Sequence, residues 1–275
     1  MARWVARLGY MTSYDQDYAA SDLWPTLNIL DNSGFSAYNV PESGALDGRT
    51  LTLRLDGAGE VGVRFVGGGR LELREGLDVT SHVASVKEVD GGLFLVHFGR
   101  SDNELAAVVL VLDLVAGVVT VVGSSIVPGP AKGGLFAQEH VDGGAVDGDT
   151  LERHLRTSEL VGRRVQYVYG PDNAYEHIYL HENAYAWHCL AGAEKGLADV
   201  DRARVWKIRE DIYLLAWQEK VVPCDGVVIL NFRAHQSTGR IWGYDTDAKT
   251  TNAIAMGARS VFLNHTAHDP ASWAV

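Results

Sequence analysis

From Leu46 to Leu263 the chain is written in short runs of alternating apolar and polar residues, separated by Gly- and Asp-rich breaks. The runs fall at 49–55, 61–66, 70–74, 83–89, 93–98, 105–114 and 118–122, then at 163–169, 174–180, 184–190, 204–208, 212–220, 227–233, 240–244 and 260–263. Such alternation puts successive side chains on opposite faces of a strand, and no helical period intervenes between the runs. Strands this short bury their apolar faces by pairing with sequence neighbours, as an antiparallel meander closed on itself. The expected fold class is all-β, with two tandem antiparallel barrels. The second set counts about eight strands, the number at which a barrel can hold one small ligand.

The two sets are related. LDGRTLTL lays Gly48 over Gly162 of LVGRRVQY, and GGLFLVHF lays Phe98 over Trp217 of EDIYLLAW, in order and at nearly one spacing. Two blocks matched in order suggest duplication of a barrel-sized unit. Residues 1–44 carry no period and read as an irregular leader with one short helix, covering a barrel end. The first barrel is expected at 45–126. Residues 127–158, with VPGP and several glycines, read as a linker, and 159–275 as the second barrel.

A net charge of −11 without any run of Lys or Arg argues against a nucleic-acid partner, because phosphate affinity needs clustered cations. The N-terminal MARWVARLGYM is interrupted by Arg3 and Arg7 and makes no secretion signal, and the run AAVVLVLDLVAGVVTVV is broken by Asp113 and Gly117. A cytoplasmic protein without membrane spans is expected. Its two cysteines, Cys189 and Cys224, are read as free thiols rather than a disulfide framework. Self-association is left open.

The repeat serves as an internal control. Leu53, Leu55, Val63 and Phe65 of the first half fall on Tyr167, Tyr169, His177 and Tyr179 of the second. Laying VVLVLDL over VVILNFR puts Leu112 and Leu114 on Asn231 and Arg233. The first barrel then has an apolar, scaffold-like interior, and the second encloses a polar, aromatic pocket. His177 is the candidate acid/base, since imidazole titrates near neutral pH. Tyr167, Tyr169 and Tyr179 are candidates to polarise a substrate oxygen, with Tyr175 on the same strand face as His177. Glu219 is a candidate proton carrier, and Arg233 a clamp for an anionic group. Asn231, Trp187, Trp217 and Tyr213 complete the expected substrate contacts. His177, His181, His188 and Cys189 do not converge as strand residues, so no metal is expected. Neither a Ser-His-Asp signature nor a phosphate loop is visible.

The segments YGPDNAYEHIYL, YAWHCLAGAEKGLADVD, DIYLLAWQEKVVP, GVVILNF and STGRIWGYD, within 160–264, resemble the C-terminal domain of the molybdenum cofactor biosynthesis protein F (MoaF) family. LDGRTLTLRL and VVLVLDLVAGVVTVV carry a weaker likeness to that family's N-terminal domain. The resemblance implies a pair of lipocalin-like, or calycin, barrels and a link to molybdenum cofactor synthesis, and it brings no catalytic residues. The leading expectation is a cofactor-independent proton-transfer enzyme, a lyase, hydratase, isomerase or cyclase, acting on a small aromatic or unsaturated molecule. The alternative is a non-catalytic small-molecule binding protein associated with molybdenum cofactor biosynthesis.

Overall fold

The computed structural model describes residues 23–31 and 34–269. Eight strands close the first barrel in sequence order: β1 (Thr50–Leu55), β2 (Gly59–Phe65), β3 (Arg70–Glu75), β4 (Asp78–Asp90), β5 (Leu93–Gly99), β6 (Ala106–Asp113), β7 (Val118–Ala131) and β8 (Leu135–Val146). β9 (Leu155–Arg156) leads to the second barrel, made of β10 (Arg163–Gly170), β11 (Asn173–His181), β12 (Ala184–Ala191), β13 (Ala198–Arg209), β14 (Ile212–Gln218), β15 (Cys224–Asn231), β16 (Gln236–Asp245) and β17 (Thr250–His265). β17 returns to β10 and β12 pairs with β13, closing it. Both barrels are antiparallel throughout, and the two tandem barrels anticipated from the alternation are present.

Strand for strand, the second barrel repeats the first. Leu53 pairs with Val61 as Tyr167 pairs with Tyr175, and Leu51 with Val63 as Val165 with His177. The correspondence then slips by one residue: Leu93 pairs with Asp113, whereas Ile212 pairs with Asn231. Asn231 thus occupies the place of Asp113, not of Leu112, and a one-residue slip exchanges the two faces of a strand. Leu112 belongs to the first barrel's interior with Leu110, and Leu230 and Val228 are its inward counterparts in the second.

The segment expected as a linker is mostly barrel wall. β7 runs on through Pro128 and Pro130, where its ladder with β8 shifts register between Pro128 and Ala131, and β8 is the strand that closes the first barrel. Proline lacks an N–H and interrupts a ladder without ending the strand when it sits at such an irregularity. What remains between the barrels is the stretch from Asp147 to about β9.

Leu93 and Leu95 of β5, Val109 and Val111 of β6 and Val122 of β7 pack their outer faces against Ile212, Leu214 and Ala216 of β14 and Val227 and Ile229 of β15. These strands are apolar on both faces because one side meets its own barrel's core and the other meets the neighbouring barrel. Polar anchors lie within that interface. Arg240 donates to Asp225 at 2.8 Å and to Ser124 Oγ at 2.9 Å, and Ser124 donates to Asp225 at 2.7 Å, all three buried.

Of the leader, 1–22 lies outside the described residues. The described part holds α1 (Leu27–Asp31), and Trp24, Leu27, Leu30 and Phe35 enter the hydrophobic core of the second barrel. The Asp245 carboxylate accepts from the N–H of Asn28 at 2.8 Å, and the Phe35 carbonyl accepts from the N–H of Gly257 at 2.8 Å. Gly257 has no side chain to obstruct this crossing: a Cβ there would collide with the backbone of Asn39. A segment that precedes the first barrel therefore plugs the second.

Candidate functional site

Alternation along β10, β11 and β12 turns Tyr167, Tyr169, Tyr175, His177, Tyr179, Tyr185 and Trp187 inward, all buried. They form two layers. In the lower layer Tyr167 and Tyr179 join hydroxyls at 2.9 Å, and the Tyr167 ring lies 4.6 Å from the His177 ring between centroids. The upper layer bounds a cavity of about 40 Å³ with His177, Tyr169, Tyr175, Tyr185, Trp187 and Trp217 in its walls and Trp24, Leu30 and Phe35 of the plug across it. That volume holds a few water molecules, and a larger guest needs the plug to shift.

Three carboxyl groups converge here. Glu219 accepts from the Trp217 indole N–H at 2.6 Å, Asp201 from the Trp187 indole N–H at 2.7 Å, and Glu194 from the Tyr175 hydroxyl at 2.7 Å. Burial, followed by the Asp201 charge, pushes Glu219 well above the usual glutamate range, and burial also raises Asp201 and Glu194. Glu219 and Asp201 are hydrogen-bonded to one another and hold a proton between them, because two adjacent carboxylates removed from water do not both ionise. Among the described residues no Lys or Arg lines the cavity.

Indole N–H groups fix the two carboxyls from β12 and β14, the strands that flank β13. Space for the Trp217 ring comes from Gly226, its direct partner on β15, where a Cβ would overlap the indole.

His177 keeps its place in the site but not its titration. Burial lowers its pKa to about 3, so the ring is neutral at physiological pH, and its Nδ1 has no hydrogen-bond partner. Burial likewise raises Tyr169, Tyr175 and Tyr179, which remain protonated donors. The carboxyls that burial raises beside the cavity are Glu219 and Asp201.

Five expected residues are placed elsewhere. Arg233 is exposed outside the barrel and pairs with Asp90 of the first barrel at 2.6 Å, and Asn231 donates to the Val89 carbonyl at 3.0 Å. Both follow from the face exchange at β15. Tyr213 points inward at the other end, donating to Glu159 at 2.7 Å beside Phe232. Tyr167 and Tyr179 lie one layer below the cavity. Conversely, Glu194, Asp201 and the plug residues were not singled out in sequence. Asp201 had a signal, since it shares a strand face with Ala203 and Val205, whereas a glutamate in the GAEKG loop looks like any exposed loop charge. Among the described residues no group of His, Cys, Asp and Glu is arranged to hold a metal ion, and both cysteines are free and buried.

Residues 22–128 match the MoaF N-terminal domain, and residues 154–266 match the MoaF C-terminal domain. The chain belongs to the MoaF family. The curated Protein MoaF of Klebsiella aerogenes is 45% identical over 113 residues, which are 41% of this chain and 43% of that protein's length. The match thus spans less than half of that MoaF relative. A solved chain from Burkholderia vietnamiensis, titled as a candidate beta-lactamase, aligns over 40% of this chain and 100% of its own at 13% identity and a TM-score of 0.33, a likeness that carries no argument. MoaF membership associates the chain with molybdenum cofactor biosynthesis through the family name. No helix among the described residues is long and apolar enough to cross a membrane.

Proposed function

We infer that the second barrel receives one small aromatic or unsaturated organic molecule and moves a proton on it, the first barrel serving as scaffold. The observation that carries this reading is the buried, hydrogen-bonded Glu219–Asp201 carboxyl pair beside an aromatic chamber. A carboxyl with a raised pKa is a proton donor near neutrality, and after transfer the Trp217 and Trp187 indole N–H groups, already bonded to Glu219 and Asp201, stabilise the new charge. Aromatic walls bind a flat guest, and Tyr169 offers a hydroxyl to a carbonyl or enolate oxygen. A lyase, hydratase, isomerase or cyclase step needs no more than this.

The test is deuterium uptake at exchangeable C–H positions in a panel of small aromatic ketones and aldehydes incubated in D2O. Catalysed exchange with wild type, lost in Glu219→Gln while binding persists, supports the reading. Equal binding with no exchange in either protein replaces it with a carrier, a second reading favoured by the plug, which closes the chamber as a retained ligand requires. A carrier associated with molybdenum cofactor biosynthesis is the form of that alternative most in keeping with the family.

A further inference from the structure

The chamber's charge balance bears on what it admits. Its ionisable groups are carboxyls, one neutral imidazole, protonated phenols and a thiol, and among the described residues no cation lines it. The groups facing Glu219 are Asp201 and Glu194, with the Cys224 thiol and the Tyr185 phenol. Lys220, next in the chain, contributes its main-chain N–H to Asp201 at 3.2 Å but directs its ammonium outward, to the Val200 carbonyl at 3.1 Å and to Asp199. Beside them stands His177, 5% exposed, in the cavity wall with Nδ1 unpartnered. A buried polar nitrogen left without a partner is an open hydrogen-bonding position that a guest can occupy.

Negative charge cannot enter such a place cheaply. A carboxylate guest would meet two or three carboxyls in a low-dielectric chamber without a compensating cation, at the expense of both desolvation and repulsion. A positive guest has the opposite balance. It is attracted to the faces of Trp187, Trp217 and Tyr185, and it replaces the proton that Glu219 and Asp201 hold between them.

We propose that the chamber takes a nitrogenous organic cation, a flat amidinium or protonated heteroaromatic amine, with its N–H edge on Glu219 and its ring among Trp187, Trp217 and Tyr185. This rests on the reading of the second barrel as the binding site and reverses the expectation of an anionic guest held by Arg233. The guest's N–H groups reach the Glu219 carboxylate and the His177 Nδ1, which accepts with the ring proton on Nε2. One proton leaves the carboxyl pair as the cation enters, so apparent affinity rises with pH, by at most tenfold per unit.

The experiment uses three probes with one ring and one size: benzamidine, benzamide and benzoate. Each is titrated against the full chain by calorimetry in two buffers of different ionisation enthalpy and by thermal shift. Wild type, Leu30→Ala, which loosens the plug, and Glu219→Gln are compared. The expected result is a Tm rise with benzamidine, a smaller one with benzamide and none with benzoate, with release of close to one proton and at least a tenfold weaker Kd for benzamidine in Glu219→Gln. Equal stabilisation by all three overturns the charge preference and leaves the aromatic chamber standing. A benzamidine shift unchanged in Glu219→Gln overturns the placement. No binding of any probe to wild type or to Leu30→Ala overturns both the cation and the chamber.

Discussion

Trp24 meets Trp187 edge to face, ring centroids 5.7 Å apart and planes at 80°, so a residue that precedes the first barrel is part of the wall of the second. The Lys132 ammonium, from the turn between β7 and β8, donates to the Trp24 carbonyl at 3.2 Å, tying plug, first barrel and second barrel at one point. The chamber is therefore covered by a segment belonging to neither barrel.

Trp24→Ala should open the chamber. Removing a buried indole costs about 3 kcal/mol, and the loss should appear in urea unfolding as a lower midpoint with an almost unchanged slope. Binding of an environment-sensitive dye should speed up in parallel. A variant with wild-type stability and unchanged dye kinetics would mean that the plug does not gate the barrel.

The Tyr167 and Tyr179 hydroxyls, bonded at 2.9 Å in a dry layer, depend on each other. Tyr167→Phe strands the second hydroxyl and should cost about 1 to 2 kcal/mol, and the double replacement with Phe should recover part of that loss. Chemical denaturation of the four proteins in the cycle measures the coupling. Simple additivity would argue that the pair is not buried as described.

Stability should depend on pH in two opposed windows set by the second barrel. His177, lowered by burial to about 3 from its ordinary 6.5, binds fewer protons folded than unfolded across that interval. Its contribution is present above 6.5 and is lost as pH falls towards 3, by up to about 1.4 kcal/mol per unit. Glu219, raised above 4.5 by burial and then by Asp201, acts in the other sense: folding is favoured below 4.5 and weakens as pH rises through its folded pKa. His177→Phe should flatten the acid limb and Glu219→Gln the neutral limb of a Tm-against-pH curve, and unchanged limbs would contradict the burial of these groups.

Asp225→Ala removes the only carboxylate among the described residues that is bonded to Arg240, which is 1% exposed between the barrels. An uncompensated buried guanidinium should cost about 3 to 5 kcal/mol, and Arg240→Met combined with Asp225→Leu should return most of it. Calorimetric melting of both variants distinguishes an interface-specific charge from mere loss of packing. A single-variant loss below about 1 kcal/mol would show that the pair is reached by water.

Arg233→Ala, in contrast, should leave ligand affinity unaltered and stability within about 0.5 kcal/mol, because Arg233 is exposed and its bond to Asp90 is a surface pair. Affinity measured alongside the Glu219→Gln variant separates the two residues that alternation had grouped together. A large affinity loss would require Arg233 to reach a ligand from outside the barrel wall.

The sequence by itself determined the strand content and the tandem barrels, because alternation is a local property and each half carried it. The repeat also located the exchange of Leu53, Val63 and Phe65 for Tyr167, His177 and Tyr179, which lie inside. It misplaced Asn231 and Arg233 because the connection before β15 is one residue shorter than its counterpart, and β15 is apolar on both faces, so its pattern cannot correct the error. Tertiary structure alone decided the rest. Glu194, Asp201 and Glu219 come from separate elements of the chain, and the plug comes from before the first barrel. Burial then moved His177 and Glu219 in opposite directions, since removal from water penalises whichever form carries charge, and how far a group is removed from water is set by what the whole chain packs around it.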